Sequence, residues 1–202
     1  MVATCTARLC TNLTRIFATP SRVSQSPSID RALEIEHLHQ PNGWIDGAFV
    51  EVAEDGTIAS VHAQRPAQWP VDTVKIRGFV LPGIPNVHSH AFQRALVGRT
   101  EVASPARDDS FWTWRVAMYK LALRLLPEHL EAVAAQLYVE LLEGGFTSVG
   151  EFHYLHHDTD GRPYADPNEM GARIQAAAAA TGIALTHLPG LYLQGGFGAA
   201  PK

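Results

Sequence analysis

The sequence predicts an α/β protein with a small β-domain at its N-terminal end, and three observations carry that prediction. Residues 32–78 alternate short apolar runs with turn signals and show no long helical period. From Phe79 onward, apolar strands alternate with amphipathic helical stretches. The chain has 202 residues, enough for one to two domains with a real hydrophobic core.

Residues 1–31 are expected to stand outside the fold as a disordered or non-native tail. They include Arg8, Arg15 and Arg22, are rich in Ser and Thr, and hold no acidic residue before Asp30. Residues 1–29 are similar in composition to an organellar transit peptide, but they lack a convincing amphipathic face.

The small β-domain, 32–78, opens with "ALEIEHL" and a turn-like "QPNGW". Phe49, Val50 and Val52, followed after "EDGT" by Ile58 and Val61, predict a hairpin. "RPAQWP" is a connector, and "TVKIRGFVLPGIPNVHSH" returns to β character. Next, "ARDDSFWTWRVAMYKLALRLL" begins as a loop and becomes helical. "LPEHLEAVAAQLYVELLEGG" sets Leu130, Val133, Ala134, Leu137, Leu141 and Leu142 on one helical face. Pro127 suits its first turn and Gly144–Gly145 its stop. "FTSVGEFHYL" reads as a buried strand. In "DPNEMGARIQAAAAATG" the expected N-cap is Asp166, with Pro167 as first helical residue, Glu169 as capping-box partner and Gly182 as stop. "IALTHLPGLYL" is a third strand. The order β, loop, α, β, α, β implies parallel βαβ units, with which a doubly wound sheet and an eight-stranded barrel both begin.

Composition excludes some functions. With 46% hydrophobic and 18% charged residues and a net charge of −4, nothing marks nucleic acid as a partner. No run of about 18 apolar residues predicts a membrane span. Cys5 and Cys10 form neither a zinc motif nor a disulfide framework, so a reducing, cytoplasmic setting is expected.

The chemistry starts at "LPGIPNVHSHAFQ". Residues two apart on a strand share a face, so His88 and His90 can address one ion. Zinc, iron and manganese accept neutral imidazole nitrogen. A lone His-x-His is common by chance on an exposed strand. This pair instead ends an apolar run, "FVLPGIPNV", which a parallel sheet would bury, and it needs a partner there.

"GFVLPGIPNVHSH" resembles the first barrel strand of the amidohydrolase superfamily. The set "HSHAFQRA", "DSFWTWR", "MYKLALRL", "EFHYLHHDTDGRPYADP" and "LYLQGGFG" resembles its formimidoylglutamate deiminase family over roughly residues 32–200. The resemblance implies the N-terminal part of a metal-dependent-hydrolase TIM (β/α)8 barrel with a small β-sandwich domain, residues 79–202 supplying the first three β/α units. It implies one Zn2+ per complete site, with Fe2+ as the alternative ion, and His88 and His90 as its first two ligands. It makes Gln93, Tyr154 and Arg115 the substrate-binding residues. Arg115 would hold a carboxylate, in its own site or in a neighbouring subunit's site of a full-length homodimer.

The implied reaction is zinc-dependent hydrolysis of N-formimidoyl-L-glutamate to N-formyl-L-glutamate and ammonia. The residue types suit it. Arginine grips a carboxylate with two parallel hydrogen bonds, and zinc lowers the pKa of bound water to about 7. A barrel typically takes about 250 residues, so the catalytic proton-transfer groups and remaining metal ligands are expected beyond residue 202. Two other functions are a related amidohydrolase, such as a guanine-deaminase-like aminohydrolase, and a non-catalytic truncated product.

Other residues have blander expected roles. Phe111, Trp112 and Trp114 suit packing. His153 alternates away from Tyr154, while His156 and His157 suit loop hydrogen bonds. Glu151 divides between an ion pair and catalysis, and His187 suits the core.

Overall fold

In a computed structural model, the structure describes residues 28–70, 72–101 and 110–192. The tail expected at 1–31 lies outside them but for its last residues, and Ile29–Arg31 belong to a strand. By its contacts the chain divides into two units, Met1–Pro85 with Gly145–Ser148 and Asn86–Gly144 with Val149–Lys202.

The first unit is built on β1 (Ile29–Gln40), β2 (Gly43–Ala53), β3 (Ile58–His62) and β4 (Val74–Val80). They form one sheet in the order β3-β2-β1-β4, antiparallel except for the parallel pair β1 and β4. The expected hairpin is β2–β3. Leu33, Ile35, Leu38, Ala48 and Val50 are buried, the inward set of two neighbouring strands. Gly78, at φ 90°, lies where the β1–β4 register slips, and its N–H donates to Glu36 Oε2 at 2.7 Å. Positive φ at such a bulge costs glycine nothing. Among the described residues these four strands form a single sheet.

"GFVLPGIPNVHSH", expected as one β run, is two strands in two sheets. Phe79 and Val80 end β4, and β5 (Ile84–Ser89) begins after the "LPG" break. Pro82 has no N–H for a ladder, which is why the run divides there.

The second sheet has the order β5-β6-β7, with β6 at Phe146–His153 and β7 at Ala184–Pro189. The Ile84 N–H donates to Gly145 O beside the starts of β5 and β6, and the Gly190 N–H to His153 O beside the ends of β7 and β6. Start meeting start and end meeting end is parallel pairing, as the βαβ pattern predicts. Between the strands run a 3-10 helix (Ala91–Leu96), α1 (Phe111–Ala122), α2 (Pro127–Glu143) and α3 (Glu169–Thr181).

The second unit's core centres on Leu130, Ala134 and Tyr138 of α2, spaced four apart, with Met170, Ile174 and Ala177 of α3. The fully buried stripe therefore includes Tyr138, absent from the apolar pattern, while Val133 turns partly outward. Arg173 joins the helices, bonding Glu169 of its own helix at 2.7 Å and Glu131 of α2 at 3.0 Å.

α3 starts later than the cap pattern predicts. Asp166 bonds the Asn168 N–H through its side chain at 2.8 Å and the Glu169 N–H through its carbonyl at 3.0 Å. This makes a turn before the helix, whose N-cap is Asn168. Glu169 serves Arg173 instead of reaching back, so the capping box does not form. The stop is where expected. Gly182 sits at φ 82° and donates its N–H to Ala178 O. Gly182→Ala should cost about 1 kcal/mol, because an L side chain resists the left-handed conformation. Urea unfolding checks this, and an unchanged midpoint would show that the turn relaxes freely.

Candidate functional site

Both histidines stand at the carboxyl end of β5. Asn86 bends back, its Oδ1 accepting the His88 N–H at 3.0 Å. The two Nε2 atoms converge to 3.1 Å, with the rings close to perpendicular at 86°. His90 Nδ1 lies 2.9 Å from the Phe152 carbonyl oxygen on β6. A carbonyl only accepts, so Nδ1 carries a hydrogen, and in the neutral ring that leaves the lone pair on Nε2. Such outer contacts fix the tautomer of metal-binding histidines.

These residues fit a metal as part of its donor set. Two nitrogens on a tetrahedral ion at about 2.0–2.1 Å lie about 3.3 to 3.4 Å apart, close to the spacing of this pair. Among the described residues no group of three His, Cys, Asp or Glu is placed to hold a metal ion. The pair is therefore an open set that needs further donors.

The 3-10 helix begins at once after His90 and carries Gln93. The Gln93 N–H closes the turn onto His90 O at 2.9 Å, while its side-chain Nε2 donates to the Tyr154 hydroxyl at 3.0 Å. That hydroxyl faces Met118 Sδ at 3.8 Å, and Gln93 Nε2 lies 3.5 Å from the same sulfur. The Tyr154 ring packs edge-on to His90 at 5.3 Å. Burial raises the Tyr154 hydroxyl above the usual phenol range against the opposing Gln93 hydrogen bond, so it is neutral at physiological pH. His88, His90, Gln93 and Tyr154 are thus one constellation.

Arg115 stands apart from it. On α1 its guanidinium covers the Trp112 and Tyr119 rings at 5.6 and 5.2 Å and donates to the Tyr119 hydroxyl at 3.2 Å. Among the described residues it makes no hydrogen bond to Gln93 or Tyr154.

Behind the histidines lies a buried polar patch. Glu151 is 1% exposed, and its Oε1 accepts the Ala91 N–H at 2.6 Å. It forms no ion pair among the described residues, so that expectation gives way to a backbone hydrogen bond. Burial pushes its carboxyl up, opposed by the Ser89 hydroxyl, the Ala91 N–H and the His90 ring. The Tyr138 hydroxyl, also raised by burial, is close to it, yet it and Glu151 Oε2 lack a hydrogen bond of ordinary geometry. Arg94 fixes the far side of the 3-10 helix with two bonds to Glu140, at 2.6 and 2.7 Å. That guanidinium, with Gln136, holds the half-buried Glu140 carboxyl down at about 2.

The remaining histidines face elsewhere. His153 is buried on the opposite side of β6 from Tyr154. His156 bonds Gly190 O at 2.7 Å and His157 makes a bridge with Pro163. Sequence reasoning missed Met118 and the Phe152 carbonyl. Helical spacing assigns Met118 to packing, and a backbone carbonyl has no side-chain signature.

The Amidohydrolase family matches residues 79–197. The formimidoylglutamate deiminase of Pseudomonas aeruginosa is 50% identical over 170 residues, covering 84% of this chain and 37% of that protein. An amidohydrolase crystal structure from Brucella melitensis is 44% identical with a TM-score of 0.77, over 86% of this chain and 38% of that one. Atrazine chlorohydrolase TrzN from Arthrobacter aurescens TC1, solved with zinc, is similar in fold at 18% identity and a TM-score of 0.63, over 78% of this chain and 35% of that one. The chain spans little more than a third of each. With the family match extending over more than half of its residues, from β4 through the histidine pair and on past β7, the chain belongs to the amidohydrolase family.

Proposed function

We propose that this chain is the N-terminal part of a zinc-dependent deiminase that hydrolyses N-formimidoyl-L-glutamate to N-formyl-L-glutamate and ammonia. The observation that carries the proposal is the convergence of His88 and His90 at 3.1 Å beside the bonded pair Gln93 and Tyr154. The 50% identity to a formimidoylglutamate deiminase supports the substrate, and zinc in a structural neighbour supports the ion. In this proposal residues 32–78 belong to a β-sandwich domain and residues 79–202 open a (β/α)8 barrel.

His88 and His90 would hold the ion through Nε2, His90 kept in the required tautomer by Phe152 O. A zinc ion there supplies activation of water at neutral pH. Gln93 spends its N–H on Tyr154, which leaves its carbonyl oxygen to accept from an imino N–H. The neutral Tyr154 hydroxyl has one proton to donate, and Met118 Sδ is a weak competitor for it. Arg115 would take a substrate carboxylate as a planar, two-pronged donor, either after leaving its stacked position or in a second subunit's site.

The test is ammonia release from N-formimidoyl-L-glutamate and from guanine, measured on the protein at the length its source cells produce. Release from the first alone is expected. Release from guanine alone would reassign the chain to an aminohydrolase, and release from neither would leave a non-catalytic product. Within this scheme Gln93→Ala should raise KM about tenfold, the loss of one or two hydrogen bonds. Zinc content should not change. A fall in zinc content would instead put Gln93 among the groups that support the metal.

A further inference from the structure

The end of β6 and the residue that follows it touch the site three times. Phe152 gives its carbonyl to His90 Nδ1 at 2.9 Å, Tyr154 its hydroxyl to Gln93 at 3.0 Å, and Glu151 its Oε1 to the Ala91 N–H at 2.6 Å. Two of these partners are side chains with a proposed role. The third is backbone, and it lies between them. Ala91 is 0% exposed, follows the N-cap His90 and precedes Gln93 by two residues.

The first N–H groups of a helix have no acceptor within it. Glu151 supplies one, and that bond fixes the peptide plane joining His90 to Ala91. The direction in which the chain leaves β5 then follows, and with it the turn on which Gln93 sits. β5 and β6 are also close enough here that a Cβ on Gly150 would stand 3.3 Å from Val87 O, so the two backbones leave little freedom.

Packing alone does not account for a carboxylate here. Burying one with a single full hydrogen bond costs stability, and an apolar side chain of like volume fills such a place better. A glutamate is expected where its oxygen has a task.

We propose that Glu151 is a positioning residue, whose buried carboxylate holds the Ala91 N–H and thereby sets His90 and Gln93 against one another. Its value to catalysis rests on the roles proposed for His90 and Gln93, but the geometry is testable without them.

The experiment is amide hydrogen exchange by NMR on the metal-free chain, for the native sequence, E151Q and E151L, followed by titration with Zn2+ alone. In E151L the amides of residues 91–93 should exchange about tenfold faster relative to those of α2. In E151Q they should stay within about threefold, because the amide oxygen accepts the same hydrogen. Zn2+ affinity should fall by about tenfold in E151L, the lower end of what outer contacts to a metal site are worth. Should E151L fail to fold, Glu151→Asp withdraws the oxygen by one methylene and should give the same local acceleration.

The proposal is overturned if residues 91–93 keep their protection, or lose it only in step with α2, or if E151Q fails to restore it. Zinc separates the two ideas. A native chain that binds no Zn2+ yet shows the exchange pattern would uphold the positioning role and show that the two histidines need the further donors before they hold an ion.

Discussion

His90→Ala is expected to abolish specific zinc binding by the chain. Among the described residues the Nε2 of His90 is one of two convergent imidazole donors, and the Phe152 carbonyl has already fixed its tautomer. Losing outer contacts at metal sites costs about 10–100-fold in affinity. Losing a ligand outright from a two-donor set should cost at least the upper end of that range. His88→Ala should match it, whereas His153→Ala should leave zinc affinity unchanged, since that ring lies on the other side of β6. Isothermal titration of the three variants with Zn2+ decides the matter. Equal affinity in His90→Ala and the native chain would mean that the ion, if any, binds elsewhere.

Acid should destabilise the second unit through His153. The ring is 2% exposed and its Nε2 has no hydrogen-bond partner among the described residues. Burial is the main cause, with His156 and His187 adding repulsion, and together they push its pKa down to about 4. Above about pH 6.5 the ring is neutral in folded and unfolded chains alike, and its contribution is complete. As pH falls below that value the unfolded chain takes up a proton that the folded one refuses, so stability drops until the folded ring also titrates. The loss should reach roughly 2.5 kcal/mol by pH 4.5. Glu151, whose carboxyl is raised, works in the opposite sense, since its contribution is lost as pH rises through its folded pKa. The native chain must therefore be compared with His153→Gln. Unfolding free energies at pH 7.5, 6 and 4.5 should converge towards the variant's as the solution is acidified, and two parallel curves would refute the assignment.

Much of this was legible in the sequence where periodicity or covalent constraint acts locally. The stripe of α2, the glycine stop of α3 and the β2–β3 hairpin follow from spacing, because each is set by contacts within one or two turns. The division of "GFVLPGIPNVHSH" into β4 and β5 was missed, although Pro82 marks it, because apolar character runs on past the break. Asp166 was misplaced for a similar reason. An aspartate that caps a helix and one that closes the turn before it have the same sequence signature. The convergence of His88 and His90 was legible because a strand forces residues two apart to one side. Glu151 shows in the sequence as a carboxylate on a strand, but its task does not. Its partner is an N–H sixty residues away, and no pattern of side chains announces a long-range bond to backbone.

The alternation along β6 has a consequence for how this protein could change. Thr147, Val149, Glu151 and His153 are buried, while Ser148, Gly150 and Phe152 alternate with them, and Tyr154 continues the second series. A strand that faces two ways lets mutation search one side while the other is held constant. A library randomising Gln93, Phe152 and Tyr154 should yield mostly folded variants with altered ligand preference. The same number of changes at positions 149, 151 and 153 should yield mostly unfolded ones. New specificity at the proposed site is therefore expected most readily from the less buried series of β6 and from Tyr154, which follows it.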